Sequence, residues 1–489
     1  RRAETLKAGD TVYLDEIANG DLVYTRDGKE TEAYASFTFR AFDYRDRRVS
    51  DASVLVYIDF YEENPDQSSS YTYTVNKLTK TLRVTFTGLS VDSTSRSVTA
   101  RLTAGDITDL AAEAGFLGGT LELAADVSGS AVDSRTVTLD ASLFTDASKG
   151  LIFSNIALIA TDAGQSTSGT AITNVCTLRF PTASVSSLYV MSTSDFSVSL
   201  EKYAMTAADK TSLPNTTYNG GLARRASFYV GNTRVNVAKA ALTMPYGKIT
   251  VKPSTVVMMQ QQSDGSFAPA LSSTYNQTDN TVTAYCSSGY VCTPYYRGSD
   301  NGMSFSDMST GNVSWATEYV YFLAARNVVQ GVGSGKFAPT AAVTRAEFVK
   351  MLVLSLDLYD ASATCSFTDI RGTSADWAYP YVASAVKAGI VTDGFTFEPT
   401  KAIDRQTMAL YGYRATLAGA ANILLPSSIA AENFLDQADI SYDCRVAVTA
   451  MQRAGIIQGD GAGHFDPTGT TTRAAASKII CMLMQHLYK

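Results

Sequence analysis

Residues 305–348 read FSDMSTGNVSWATEYVYFLAARNVVQGVGSGKFAPTAAVTRAEF. The same order of residues returns from Phe367 and again from Phe434, so a unit of about 60 residues is written three times. Every copy contains a Phe-x-Asp opening, an apolar stretch, a glycine-containing segment, a Phe-x-Pro and an arginine that follows Thr or Asp. This fixed order predicts three copies of one structural unit in the last part of the chain.

The residues of one copy predict its local structure. Trp315 and Tyr319 are one helical turn apart and begin an apolar helix face. The glycines that follow must turn the chain. Thr344-Arg345-Ala346-Glu347 has the spacing of a capping box, in which the threonine and the glutamate each satisfy a backbone N–H at a helix start. Each copy is therefore predicted to be a helix, a loop, a short extended piece and a second helix, with the other caps at Asp404 and Thr472.

These residues resemble the S-layer homology (SLH) module, which occurs in triplets at the ends of bacterial cell-surface proteins. The resemblance covers residues 304–489 and implies three units packed as a pseudo-threefold helical spindle. It also implies binding of acidic secondary cell-wall polysaccharide in grooves between the units. Binding in the family is attributed largely to the arginine of the box. The candidate polysaccharide-binding residues are the three arginines, their caps and two tryptophans: Arg345, Arg405, Arg473, Thr344, Asp404, Thr472, Trp315 and Trp377.

The chemistry of the arginines can be weighed against a plainer interpretation. An arginine in the first turn of a helix is commonly exposed and idle, but here three occupy one repeat position. A guanidinium suits carboxylate recognition because it donates two parallel hydrogen bonds. The box is complete only around Arg345, and the third copy has Cys444 where the others have tryptophan. We therefore expect unequal grooves, with that of Arg345 the strongest, and little effect of Arg345→Ala on stability.

The chain before residue 304 alternates apolar and polar residues with period two, which predicts β-structure. The predicted fold class is multidomain, mainly β in the N-terminal part and dominated by α-helices in the C-terminal spindle. The predicted domains are 1–64, an Ig- or cadherin-like β-sandwich that is partial if its first half lies upstream; 65–215, a β-rich domain with strand–short-helix repeats; 216–303, a small β-domain and connector; and the repeats 304–362, 363–430 and 431–489.

Charge and composition argue against several classes of function. The formal charge of −7 predicts no broad basic surface for nucleic acid or anionic membrane, and no apolar run is long enough to span a bilayer. Only two histidines occur, which argues against a Ser-His-Asp catalytic triad and against a metal site with histidine ligands. No catalytic residues are predicted, and no cofactor is expected apart from Ca²⁺. The acidic turn with Asp43, Asp46 and Asp51 either binds Ca²⁺ or is simply solvated. Cys286 and Cys292 form either one local disulfide or two unpaired thiols.

The sequence thus predicts a secreted, non-catalytic structural protein, anchored at the surface of a Gram-positive-type bacterium. Its β-rich half would pack with copies of itself in an S-layer or surface fibre. Two alternatives remain: a wall-anchored adhesin or carbohydrate-binding display protein, and the anchor region of a longer surface enzyme. The chain opens Arg1-Arg2 without a methionine or signal peptide, as expected for a processed form or a fragment.

Overall fold

The computed structural model describes residues 71–115, 118–125, 127, 131–145, 153–162, 174–189, 193–214, 223–298, 300, 303–309, 311–418 and 433–488, together with the backbone of four earlier strands. These strands are β1 (Tyr34–Phe39), β2 (Phe42–Asp43), β3 (Arg48–Val49) and β4 (Val54–Asp59). β1 pairs antiparallel with β4, and β2 with β3. The rest of the Ig- or cadherin-like prediction, and the acidic side chains predicted for calcium, lie outside the described residues.

Two β-sheets pack face to face between residues 71 and 298. Their strands are β5 (Tyr71–Asn76), β6 (Thr81–Phe86), β7 (Ser97–Leu102), β8 (Gly119–Ala124), β9 (Ser134–Leu139), β10 (Phe153–Asp162), β11 (Asn174–Pro181), β12 (Phe196–Lys202), β13 (Arg224–Val230), β14 (Thr233–Val235), β15 (Ala241–Pro245), β16 (Val256–Gln261), β17 (Phe267–Pro269), β18 (Thr274–Asn276), β19 (Thr281–Tyr285) and β20 (Val291–Tyr296). One sheet has the order β18-β19-β15-β11-β10-β8-β6-β5 and the other β17-β16-β20-β13-β12-β9-β7, with β14 on β13. We call this part of the chain the sandwich.

The sandwich core follows from the alternation of residues along its strands. In β6, Leu82 and Val84 are fully buried, while the intervening Arg83 is exposed. Rings from the two sheets meet in the middle, where the centre of Phe180 lies 5.6 and 5.4 Å from the centres of Phe196 and Phe228. Aromatic pairs at such distances add to the energy of burial.

Short helices follow several of the strands, in keeping with the predicted strand–short-helix repeats. They are α1 (Ala104–Ala114) after β7, α2 (Ser142–Thr145) after β9, α3 (Thr182–Ser186) after β11 and α4 (Ala207–Thr211) after β12. The predicted domain boundary between residues 215 and 216 remains a prediction. Each of the two sheets contains strands that come before this boundary and strands that come after it. Cys286 and Cys292 are free and buried, and burial raises the pKa of both thiols above the usual range.

The three repeats each contribute two helices, as predicted. These are α5 (Thr317–Ala325) and α6 (Arg345–Ser355), α7 (Tyr379–Lys387) and α8 (Arg405–Leu417), and α9 (Tyr442–Arg453) and α10 (Arg473–Leu487). The predicted capping box is confirmed, because the Thr344 side chain accepts from the backbone of Glu347 and its backbone N–H donates to Glu347 Oε2 at 2.8 Å. Asp404 and Thr472 cap α8 and α10.

Backbone hydrogen bonds join the repeats in a closed cycle. The N–H of Val343 donates to the carbonyl of Thr471 at 2.9 Å, that of Thr471 to Ile403 at 3.4 Å, and that of Ile403 to Val343 at 3.0 Å. The repeats therefore meet pairwise around one axis, and we call residues 303–309, 311–418 and 433–488 the repeat ring. Within the described parts of the chain, every helix is too short or too polar to cross a bilayer.

Candidate functional site

Each box arginine reaches across to the Phe-x-Pro loop of a neighbouring repeat. The guanidinium carbon lies 5.0, 4.9 and 4.7 Å from the ring centre in the pairs Arg345–Phe397, Arg405–Phe465 and Arg473–Phe337. The side chains of Arg345 and Arg473 are only 22% and 13% exposed. The prediction that Arg345 is exposed is therefore wrong, so the reason for expecting Arg345→Ala to have little effect on stability no longer holds. The three arginines stabilise the contacts between repeats, because a cation over an aromatic ring at partial burial is attracted to it.

The Phe-x-Asp openings hold these loops in place. Asp307 accepts from the backbone N–H groups of Phe337 and Ala338 at 2.9 and 2.8 Å. Burial acts to raise the pKa of Asp307, but these two donors and nearby charge bring it below the usual value. Asp436 makes the corresponding pair of bonds in the third repeat. The sequence showed that these aspartates recur but gave no role for them.

Two of the three arginines are already paired with a carboxylate. Arg473 Nη1 lies 3.2 Å from Glu347 Oε1, and its Nε and Nη2 donate to carbonyl oxygens of the first repeat. Arg345 Nη1 lies 3.3 Å from Glu398 Oε2, and its Nη2 donates to the Tyr411 hydroxyl at 3.0 Å. An anionic ligand at either position would have to compete with a protein carboxylate.

Arg405 is different. Its Nε and Nη2 donate to the carbonyl oxygens of Phe465 at 2.6 Å and Gln458 at 3.0 Å, and among the described residues it forms no ion pair. Burial lowers the pKa of Arg405, and nearby aspartates oppose that shift. The reason for the missing partner lies in the sequence: Ala475 of the third repeat stands two residues after Arg473, where Glu347 stands in the first.

A groove of about 250 Å³ opens beside Arg405. Its lining includes Trp315 from the first repeat, Arg405 from the second, and Ala475 and Lys478 from the third. Trp315 is 49% exposed, so an aromatic face and two cationic side chains border the same space. We call it the Arg405 groove.

The corresponding residues of the other two grooves differ. Lys350 lies over the ring of Trp377 at 5.4 Å, one turn along α6 from the Glu347 that pairs with Arg473. Near Arg345, α8 has Leu410 at the position that Lys350 and Lys478 occupy in the other two helices. The structure thus brings the tryptophan of one copy to the arginine of another. Thr344, Asp404 and Thr472 serve as helix caps.

Comparison with known proteins identifies the repeats. The S-layer homology domain family matches residues 304–349, 366–409 and 436–477. The chain carries three SLH domains. Over this SLH region it is 32% identical to an amylopullulanase of Thermoanaerobacterium thermosulfurigenes across 173 residues, 35% of this chain and 9% of that protein.

Other relatives match over a similar length. An exoglucanase of Acetivibrio thermocellus is 30% identical over 184 residues, 37% of this chain and 16% of that protein. S-layer protein EA1 of Bacillus anthracis is 29% identical over 187 residues, 37% of this chain and 20% of that protein. The chain therefore spans a fifth or less of these three relatives. The SLH domains and the S-layer relatives indicate a location at the cell surface or cell wall.

Proposed function

We propose that the repeat ring anchors this chain by binding an acidic secondary cell-wall polysaccharide, with the Arg405 groove as the principal site. The observation that carries this proposal is the guanidinium of Arg405, which has no carboxylate partner among the described residues and borders a groove. A carboxylate of an acidic sugar would supply the missing anion, and charge-assisted hydrogen bonds to arginine are among the strong ones.

The other side chains of the groove suit the same ligand. The Lys478 ammonium adds a second cation, and the exposed face of Trp315 offers an apolar surface for the C–H face of a sugar ring. Our ranking of the grooves differs from the sequence prediction, which places Arg345 first, because Arg345 is already paired with Glu398. The remaining candidates, Arg345, Arg473 and Trp377 with the caps Thr344, Asp404 and Thr472, we propose as weaker or supporting positions.

The proposal predicts selective sedimentation. The full chain is expected to pellet with cell walls that retain their secondary polymer and to remain soluble with walls from which acid treatment has removed it. The measurement is the protein fraction in the pellet over a range of wall concentrations. Equal pelleting with both preparations would contradict polysaccharide binding, because peptidoglycan is common to the two.

For the rest of the chain we propose a non-catalytic structural role, as a subunit of an S-layer or surface fibre. The support is that the likeness to enzymes is confined to the SLH region, which S-layer proteins share. For residues 1–64 we propose an Ig- or cadherin-like sandwich, in keeping with the antiparallel pairing of β1 and β4. The display-protein and enzyme-anchor alternatives would use the same ring.

Self-association is expected to occur through the sandwich. Within the part of the chain that the structure describes, β5 ends one sheet and β7 the other, and an end strand offers unpaired N–H and C=O groups to another chain. Light scattering on the full chain should show mass rising with protein concentration. Calcium is added or withheld in parallel to test for an ion requirement. A strictly monomeric protein in every condition favours the display-protein alternative.

A further inference from the structure

Strand β16 is buried on both faces, unlike strands such as β6. Val256 and Met258 belong to the sandwich core, whereas Val257 and Met259 belong to the apolar cluster of the repeat ring. Successive side chains of a strand point to opposite faces, so β16 carries one core on each side. The adjacent β20 is buried along most of its length for the same reason. The ring therefore covers an apolar face of the sandwich.

A buried arginine of the ring reaches into the sandwich. Arg326 follows α5 and is 3% exposed. Its Nη1 donates to the carbonyl of Ser254 at 3.2 Å, and its Nη2 donates to the carbonyl of Ser273. Burial lowers the pKa of Arg326 to about 9. Its charge is compensated by carbonyl oxygens, including that of Phe322 in the last turn of α5, where the helix dipole is negative.

A buried arginine of the sandwich reaches back into the ring. Arg297 Nη1 donates to the carbonyl of Ala325 at 2.7 Å and to Oδ1 of Asn327 at 2.8 Å. Its Nε pairs with Asp300 at 3.0 Å, so this guanidinium is held on both sides. The two arginines thus form a reciprocal set of hydrogen bonds at the end of α5.

The first repeat departs from the other two at these same positions. It has Arg326-Asn327 where the second has Ala388-Gly389 and the third Ala454-Gly455. Asn327, Gly389 and Gly455 all have positive φ, at 59°, 74° and 72°. Because asparagine tolerates this conformation, the turn of the repeat is preserved. The repeat fold needs neither the guanidinium nor the amide, yet both are used in contacts with the sandwich.

A second contact joins the sandwich to the far end of the ring helices. The ring of Tyr488, just after α10, packs edge-on against Tyr285 at 6.0 Å, and its hydroxyl donates to the carbonyl of Ser355 at the end of α6. Arg345 and Arg473 begin these two helices. At 1.5 Å per residue, the helix starts lie roughly 15–22 Å along the helices from this contact. The contact between Tyr285 and Tyr488 therefore lies at the opposite ends of α6 and α10 from Arg345 and Arg473.

We infer that Arg326 and Asn327 make the first SLH repeat a docking face for the sandwich, so that anchor and sandwich form one rigid body. A ring bound to the wall through its box arginines then holds the sandwich in a fixed orientation relative to the wall. That orientation rests on the proposed function, whereas the docking does not.

The test replaces both residues by those of the other repeats, as Arg326→Ala/Asn327→Gly in the full chain. We expect the variant to keep its wall binding, because alanine and glycine are the residues that the second and third repeats carry. In calorimetry, we expect the shared unfolding transition to split, with one part moving down by roughly 5 °C or more. In small-angle scattering, the distance distribution should broaden. Arg83→Ala, on the exposed side of β6, is the control and should change neither profile.

Two results would overturn the inference. An unsplit transition with an unchanged scattering profile would show that the two residues do not hold the sandwich. Loss of wall binding together with unfolding of the ring would show that they serve the fold of the repeat itself. If the wild-type protein does not bind walls, the proposed function fails, but calorimetry and scattering still decide the docking.

Discussion

Arg405→Ala is expected to lower the affinity of the full chain for secondary wall polysaccharide by roughly 10- to 150-fold. The reason is that a hydrogen bond to a charged group contributes about 1.5–3 kcal/mol. Arg405 is the box arginine without a carboxylate partner among the described residues, so its charge is the one most available to a ligand. Titration calorimetry with purified polymer measures the change directly.

Arg345→Ala is the matched control. Arg345 packs over a phenylalanine of the next repeat much as Arg405 does. The distance from the guanidinium carbon to the ring centre is 5.0 Å for Arg345 and 4.9 Å for Arg405. Both variants should therefore lose stability of the order of 1–3 kcal/mol, since each removes a partly buried hydrogen bond and a cation–aromatic contact between repeats. Only Arg405→Ala should lose most of its binding. Equal losses of affinity in the two variants would contradict the ranking of the grooves.

Much of the ring could be predicted because its determinants are local. Thr344 and Glu347 lie three residues apart, and that spacing is enough to specify a capping box whatever the rest of the chain does. The apolar period from Trp315 likewise specifies a helix, although the structure begins the α-helix at Thr317 after a short 3-10 turn. Repetition then multiplies each local signal by three.

The composition of the grooves could not be predicted in the same way. Reasoning along the sequence compares copies, and so ranks the copy with the complete box first. The ring closes, however, so that Trp315 of the first copy, Arg405 of the second and Lys478 of the third border one groove. The glutamate that completes the first box also neutralises an arginine of another copy, Arg473, at 3.2 Å. The glutamate of the most complete box therefore occupies an arginine of a different groove, which a comparison of copies along the sequence does not reveal.

The docking of the sandwich was also beyond local reasoning. In the structure, β16 pairs with β17 as an antiparallel hairpin. The unbroken apolar run from Val256 to Met259 fits a strand that is buried on both faces, but it also fits a buried helix segment, and it does not show what covers the second face. The side chains that contact the sandwich there include Arg326 and Asn327, about 70 positions later in the chain. Their departure from the repeat pattern can be interpreted only when their partners in the sandwich are known.

Ala475→Glu is expected to abolish most wall binding while leaving the protein at least as stable. The new side chain would follow Thr472 with the spacing of Glu347 after Thr344, and so complete the third capping box, a gain of about 0.5–1 kcal/mol. Its second carboxylate oxygen would face Arg405 as Glu347 faces Arg473, and would occupy the groove. We expect a loss of affinity of tenfold or more.

Glu347→Ala is the reciprocal change and separates charge from folding. It removes the carboxylate from Arg473, which keeps its bonds to the carbonyls of Phe337 and Gln330, and so reproduces the arrangement of Arg405 beside a second tryptophan and lysine. This variant should be less stable by about 1 kcal/mol and yet bind more polymer per chain. Calorimetry gives the number of sites and the affinity, and thermal unfolding gives the stability. If binding merely follows stability, falling in Glu347→Ala and holding in Ala475→Glu, then the arginines act only as contacts between repeats and the polysaccharide binds elsewhere.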